Sequence, residues 1–536
     1  MLTRSFLTPD ENAKLLAYTP MFHARLFKET PKYRDAHFQA TREPIEATPV
    51  TGLTSPYLDG NPKFDRPLFV QFCANDPEHL LHAAEMAAPY CDAVDLNLGC
   101  PQGIARKGHY GAFLQEDQKL IYKLINTLHK NLSIPVTAKI RILETREATL
   151  AYAKNVLAAG ASIITVHGRR REQKGHLTGV ADWGFIRYLR ENLPKDTVIF
   201  ANGNILQHGD VEKCLEVTGA DAVMSAEGNL SDPSIFATPP PVGQDDREYW
   251  RGRDGKGGYR VDAVFRRYMD ILHKYVLEQE PPKRRPLFVL GDDEAWLHDS
   301  RTQDGDHEEG PARKKIKQDG GGKRSTSPNI VAVRPHLFHL LRHFISKHTD
   351  IRDILARTNP GDIAGIEKVL ELVEGRVAHG LIDYERTDGK STEDEVIPKV
   401  KVQATELPKE DSKEDDVDPT YDPESSVATV KVCRRPWWIA QPIVRPLPKE
   451  ALAKGSIKIS KKDQRKQHQE QAVTVSVIAT TVAEDIKDNG PGQQESNGQT
   501  RKLEDELPKS DKKDGVEEPA MNPTAPGPIN DELVCG

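Results

Sequence analysis

From Leu15 to Asn229, short apolar or β-branched runs alternate with segments of helical period, and this alternation leaves few folds open. Repeated βα units place their strands parallel, and a parallel sheet is covered by helices. Seven runs read as strands: Leu15 to Thr19, Leu68 to Phe72, Ala93 to Leu98, Val136 to Ile140, Ser162 to Val166, Val198 to Ala201 and Ala222 to Ser225. Between them, Asn75 or Asp76 caps a helix with Pro77 in its first turn, and Leu120, Ile121, Leu124, Ile125 and Leu128 stripe the next. Leu150, Ala153, Val156 and Leu157 stripe a third before Gly160 stops it. The fold class expected is α/β, a TIM (β/α)8-type barrel lacking one unit, and a sheet closed by hydrogen bonds cannot omit a strand. The gap is expected at the front. Met1 precedes the first run by only about fourteen residues, so the chain is read as starting inside helix one, with two open strand edges.

At 536 residues, with 37% hydrophobic and 29% charged residues and a mean hydropathy of −0.60, the chain is too polar to be folded throughout. The expected organisation is a barrel over 1–240, a helical domain over 241–385 and a mostly disordered charged tail over 386–536. Residues 290–329, charged and rich in glycine, read as a disordered insertion. Net charge −7 argues against a uniformly basic nucleic-acid binder but leaves room for a local basic face. Six scattered cysteines without a CxxC pair fit a reducing compartment and no zinc or other metal site. Without a secretory segment or an apolar run long enough for a membrane span, the chain reads as soluble and intracellular, in cytoplasm, nucleus or both. Lys314, Lys315 and Lys317 after Arg313 are either a nuclear signal or a solvated charge run.

The helical region carries local positive charge. One helix is expected to show Arg260, Arg266, Arg267 and Lys274, and a later one Arg334, Arg342, Lys347 and Arg352 among four histidines, opposite an apolar stripe of Leu337, Leu340, Leu341, Phe344 and Ile345. Ile366, Val369, Leu370, Val373 and Val377 stripe another helix over 362–380. In the tail, 434–446 places Trp437 and Trp438 in a basic, proline-rich stretch that either docks on the folded part or stacks on bases.

Cysteine is among the most buried residue types, and Cys73, Cys91 and Cys214 read as packing residues. Cys100 is different: it follows the strand Ala93 to Leu98 at a Gly99-Cys100-Pro101 exit and precedes the cationic loop Arg106 to Gly111, so it reads as an exposed chemical cysteine at a strand tip. Later strands end at Lys139-Ile140-Arg141, at His167 to Arg171, at Asn202-Gly203-Asn204 and at Ala226-Glu227-Gly228. Any one is an ordinary solvated strand end; together they put polar residues and glycines on the rim where barrel active sites lie, the last two where many barrels hold phosphate.

These segments resemble tRNA-dihydrouridine synthases, in particular the eukaryotic subfamily acting on uridines 16 and 17 of the D-loop. Asp95-Leu-Asn-Leu-Gly-Cys-Pro, Lys107-Gly-His-Tyr-Gly-Ala-Phe-Leu, Val166-His-Gly-Arg, Phe200-Ala-Asn-Gly-Asn and Met224-Ser-Ala-Glu-Gly-Asn-Leu carry the likeness in order, over roughly 15 to 236. The resemblance implies an FMN-containing barrel and a helical tRNA-binding domain, with NADPH reducing the flavin. Hydride from FMN to C6 of uracil and a proton from Cys100 to C5 would give dihydrouridine. By the same likeness Gln71 contacts flavin and Asn97 and Arg141 read the extruded base. In such a reaction Lys139 would neutralise charge developing on the flavin ring and His167 would orient flavin or substrate. Asn202, Gly203, Asn204, Ala226, Glu227 and Gly228, placed where many barrels hold phosphate, would take the cofactor's phosphate end. The implied partner is tRNA, with no DNA or membrane, and the chain is expected to be a monomer. One departure is plain: the family's first strand, ending in Ala-Pro-Met over the flavin, is absent, and Pro20-Met21 resembles strand two. A wrongly chosen start codon or a partial gene model is the expectation that follows. Two rivals compete, another FMN-dependent barrel oxidoreductase acting on a small molecule and an inactive, truncated RNA-binding form.

Overall fold

Alternation within each strand decides which side chains line the barrel and which face its helices. In the computed structural model, which describes residues 1–43, 45, 55–298, 327–359, 361–392 and 426–453, the strands are β1 (Ala17–Tyr18), β2 (Phe22–His23), β3 (Leu68–Cys73), β4 (Ala93–Leu98), β5 (Val136–Arg141), β6 (Ile163–His167), β7 (Val198–Asn202) and β8 (Ala222–Met224). All pair in parallel in chain order, with β1 and β2 both on β3, one after the other along its length. Residues 15–19 and Pro20-Met21 thus belong to one interrupted strand position, as the sequence reading has it. The sheet is a TIM-type barrel wall, and β1 and β8 do not pair with each other among the described residues.

Val94, Leu96 and Leu98, Ala138 and Ile140, Ile164 and Val166, and Ile199 and Ala201 are fully buried in one apolar cluster with the helices. Burying each Val, Leu or Ile among them stabilises the fold by about 1.5–3 kcal/mol. The intervening positions fall in register as rows across the barrel: Gln71 beside Asp95 and Thr137, Asn97 beside Lys139 and Thr165, and Arg141 beside His167 and Asn202. All nine are buried, so the barrel interior is polar and its upper rows carry the candidate site.

The helices start where the sequence signals them. Asp76 accepts from His79 N–H at 2.8 Å to cap helix Pro77–Ala87, Asp117 caps Gln118–Asn131, and Thr145 caps Arg146–Ala158. The N-terminal turns, Thr3–Phe6 and Pro9–Lys14, bond to both ends of the sheet: Thr3 Oγ1 donates to Asn229 Oδ1 at 2.9 Å after β8, and Arg4 donates to Pro67 O at 3.0 Å before β3.

The second apolar cluster belongs to the helical region and brings three departures from the sequence reading. First, residues 249–259 form an antiparallel hairpin, β9 (Tyr249–Arg251) with β10 (Gly257–Tyr259), and not the start of a helix. Second, Arg260, Arg266 and Arg267 do not present charge outward. Arg260 is 2% exposed and bound to its neighbour Asp262, while Arg266 pairs with Glu374 and Arg267 with Glu248, acids from elements that periodicity does not bring together. Third, the histidine-rich stretch is three helices, Val333–Leu340, Arg342–Lys347 and Thr349–Arg357, followed by the long helix Ile363–Arg386.

Residues 1–450 form one compact unit, and of the other only 451–453 are described. Trp437 and Trp438 lie in the first and are buried, so the docking alternative holds and base stacking does not. Trp437 packs on Phe344 and His348, Trp438 on Trp250 and Tyr384. Trp438 O accepts from Val261 N–H at 2.8 Å, and Ala440 N–H donates to Tyr259 O at 2.9 Å, fastening this strap to β10. The Lys314 to Lys317 cluster, most of 290–329 and most of the tail lie outside the described residues. No described helix is long and apolar enough to cross a membrane.

Candidate active site

Cys100 sits just past the tip of β4, where an Asn turn holds it. Asn97 Oδ1 accepts the N–H groups of Gly99 and Cys100 at 3.0 and 2.9 Å. Asn97 Nδ2 donates to Gln71 Oε1 at 2.8 Å, Gln71 Nε2 donates to Asp95 Oδ2 at 2.9 Å, and Thr137 Oγ1 donates to Asp95 Oδ1 at 2.6 Å. A chain of hydrogen bonds therefore runs from the barrel interior to the cysteine backbone. Asp95 is its buried root, and burial raises its pKa above the ordinary carboxylate value against the opposing pull of Thr137, Gln71 and Lys139. The sequence reading passed over Asp95 as part of a motif; an acid inside a buried strand was the available signal.

The cysteine is not exposed as expected: it is 1% exposed, in a small cluster with Cys73, Ala105 and Tyr110, with Met21 and Phe113 packed against it. Loop 101–114 folds back over the strand tip. Ala112 N–H donates to Cys100 O at 3.0 Å, and Gly111, at φ +63°, lies where a Cβ would come within 2.8 Å of that oxygen. Cys73, Cys91 and Cys214 are buried in packing positions as read, each thiol pushed up to about 12 chiefly by burial.

The next strands bring their tips to the same mouth. Arg141 donates from Nε to Gly99 O at 2.7 Å and from Nη1 to Arg170 O at 3.1 Å, so it braces the strand tip holding Cys100. Beside it, His167 is 3% exposed and accepts at Nε2 from Arg169 Nη1 at 3.1 Å, which puts its hydrogen on Nδ1. Burial, then the charges of Arg141, Lys139 and Arg169, push His167 well below its ordinary pKa, so the ring is neutral. Among the described residues its Nδ1 has no partner, and neither does Asn202 Oδ1 in the next strand, although Asn202 Nδ2 donates to Met224 O at 2.9 Å. Two buried polar atoms of opposite hydrogen-bonding sense, on neighbouring strand tips, are the pair that a polar ligand bound in the mouth would satisfy.

Gly203, at φ +107°, packs its backbone closely between His167 and Ala181, since a Cβ there would lie 3.0 Å from His167 Cδ2 and 2.7 Å from Ala181 Cβ. Asn204, also at positive φ, is tied by Arg169 Nη2 at 2.7 Å and by Ala181 N–H and O. It is a brace of the loop, with its amide spent on protein partners. After β8, Ala226 precedes the short helix Glu227–Ser231, whose Gly228 is buried. Glu227 forms an ion pair with Arg445, a residue that sequence reading missed because 218 positions separate the two. Of the expected residues the fold thus gathers Gln71, Asn97, Cys100, Lys139, Arg141, His167, Asn202 and Gly203 at one barrel mouth, with Ala226, Glu227 and Gly228 at its β8 edge. A separate cavity of about 360 Å³, lined by none of these residues, lies between residues 207–209 and 232–239, the β9–β10 hairpin and the strap.

Comparison with known proteins agrees with this architecture. Residues 3–251 match the family model described as Dihydrouridine synthase (Dus). The chain is 39% identical over 433 residues to the tRNA-dihydrouridine(16/17) synthase [NAD(P)(+)] of Schizosaccharomyces pombe, covering 81% of this chain and 82% of that one. It is 46% identical over 344 residues to the protein of the same name in Saccharomyces cerevisiae, covering 64% of this chain and 63% of the relative. A Mus musculus protein named tRNA-dihydrouridine(16/17) synthase [NAD(P)(+)]-like is 47% identical over 221 residues, 41% of this chain and 42% of that one. On these matches and this barrel, the chain belongs to the dihydrouridine synthase family.

Proposed function

We propose that this chain is a tRNA-dihydrouridine synthase that reduces the C5=C6 bond of uridines 16 and 17 in the D-loop, using FMN as its flavin and NADPH as electron donor. The observation that carries this reading is the placement of Cys100: its backbone is held by Asn97, within a barrel mouth that also contains Lys139, Arg141 and a neutral His167. The residues present suit FMN. His167 Nδ1 and Asn202 Oδ1, a donor and an acceptor on adjacent strands, are buried and lack partners among the described residues. Bound there, the flavin supplies hydride to C6 of uracil.

The chain's own part is positional and protic. Cys100 holds a proton at Sγ and delivers it to C5 as the general acid. Lys139, beside Asn97 and Thr165 in the wall, supplies positive charge at the floor of the site. Asn97 has both oxygen lone pairs and one amide hydrogen committed, which leaves one hydrogen for a base, while Arg141 orients the Gly99 carbonyl next to the cysteine. A uracil has to leave the tRNA stack to reach this depth. Lys274, Arg342, Lys347, Arg357 and Lys368 remain exposed on the helical region and are the cations suited to tRNA phosphates.

The test is complementation of a strain whose own enzyme for D-loop positions 16 and 17 is deleted, with dihydrouridine mapped base by base. This chain is expected to restore the modification and its Cys100→Ala variant is not. Unmodified tRNA with the wild-type chain would remove the proposal.

A further inference from the structure

After Trp438 the strap leaves the helical region and crosses to the barrel. His343 Nε2 meets Pro442 O at 3.1 Å, Arg445 reaches Glu227 after β8, and Pro448 Cδ lies 3.8 Å from the Cβ position of Gly179 in the loop after β6. One arginine from the far end of the folded chain is thereby returned to the β8 edge of the rim, beside Glu227 and within electrostatic reach of Arg169. Its Nε and Nη2 face the Glu227 carboxylate, and its Nη1 has no partner among the described residues.

This rim poses an electrostatic problem. The loops after strands seven and eight are where many barrels hold phosphate, yet here the first residue of the turn after Ala226 is a glutamate. A carboxylate near a phosphate dianion repels it. Arg169, a barrel cation within electrostatic reach of Glu227, is committed to His167 Nε2, Asn204 Oδ1 and Gly179 O. Arg445 and Glu227 both lie within electrostatic reach of Arg169. The Arg445–Glu227 pair is also half exposed, which makes it a weak fastener, and the strap is already anchored by its buried tryptophans and backbone bonds. A cation is thus spent where anchoring does not require one.

We infer that, given the FMN site proposed above, Arg445 of the C-terminal strap is a specificity residue for the flavin phosphate. Glu227 holds the guanidinium over the loops after β7 and β8, and the guanidinium offsets that carboxylate and donates from its remaining nitrogen to the phosphate. A phosphorylated flavin is thereby preferred to the bare nucleoside analogue, riboflavin.

The test compares FMN and riboflavin binding to the full-length chain by quenching of flavin fluorescence, for wild type and Arg445→Gln, with thermal unfolding of both as a control on folding. Loss of one charged hydrogen bond predicts that Arg445→Gln weakens FMN about 10- to 100-fold and leaves riboflavin affinity unchanged. Equal weakening of both flavins would mean the arginine only shapes the strap, and unchanged FMN affinity would mean it does not reach the phosphate; either overturns the inference while the flavin site stands. A wild-type chain that binds neither flavin would overturn the inference together with the FMN reading.

Discussion

Asn97 and Cys100 are joined by a hydrogen bond of 2.9 Å from the cysteine N–H to the asparagine Oδ1, and the same oxygen takes the Gly99 N–H. The side chain of the last polar residue in the strand thus fixes the backbone of the first reactive one beyond it. Removing it in Asn97→Ala leaves two buried N–H groups unpaired, at about 1–3 kcal/mol each, and releases Gln71 Oε1. Denaturant unfolding of the variant is expected to show about 2–4 kcal/mol of lost stability, together with slower dihydrouridine formation. A variant as stable and as active as wild type would show that the turn holds itself.

Cys100 differs from the other buried cysteines in being held by an Asn turn and covered by a polar loop. If its thiol is the proton donor, Cys100→Ala lowers the rate of dihydrouridine formation by about 10²- to 10⁴-fold, the range for one general acid. Flavin affinity is expected to be unchanged, because the orphaned polar atoms proposed to meet the flavin belong to His167 and Asn202. Parallel measurement of flavin binding and of tRNA modification separates loss of the acid from loss of the cofactor.

The barrel was legible because its strands are short apolar runs bounded by clear stops, and Ala93–Leu98 matches the run read from sequence. Pairing across space was not legible. Arg260 looks like surface charge in a helical pattern, yet it is buried against Asp262 and the Phe288 carbonyl. Cys100 was found from its strand exit, but its burial depends on Tyr110 from the loop that folds back and on Met21 from the β1–β2 junction, which only the folded chain brings near. Arg445 gave no signal, since nothing local in a proline-rich segment reveals that it ends opposite Glu227.

Trp438 binds the strap to the rest of the molecule. It is 1% exposed, edge-on to Trp250 at 5.6 Å and to Tyr384 at 6.0 Å. Trp438→Ala is expected to cost about 3–5 kcal/mol through the cavity it leaves. Its indole N–H has no partner, so Trp438→Phe gives up ring volume but also a buried orphan donor, and it should cost clearly less than the alanine. Equilibrium unfolding of both variants checks the order; equal losses would mean that the second ring, and not overall packing, governs the strap.

His167 makes the barrel sensitive to acid. Its folded pKa lies well below 6.5, through burial first and then the charges of Arg141, Lys139 and Arg169. Above 6.5 the ring is neutral in both folded and unfolded chains and contributes no slope. As pH falls below 6.5 the unfolded chain takes up a proton that the folded chain refuses, so stability drops by about 1.4 kcal/mol per pH unit until the folded pKa is reached. Asp59 and Asp232, both held up to about 6 chiefly by burial, act in the opposite sense: they favour the folded state as pH falls from 6 toward 3.8. The net profile therefore mixes these groups, and the difference between wild type and His167→Gln isolates the histidine. Unfolding free energies from pH 7.5 to 5 are expected to run parallel above 6.5 and to diverge below it, with the wild type losing more. Curves that stay parallel throughout would mean that the ring takes up a proton in the folded chain, and its Nδ1 would then have to be satisfied within the protein.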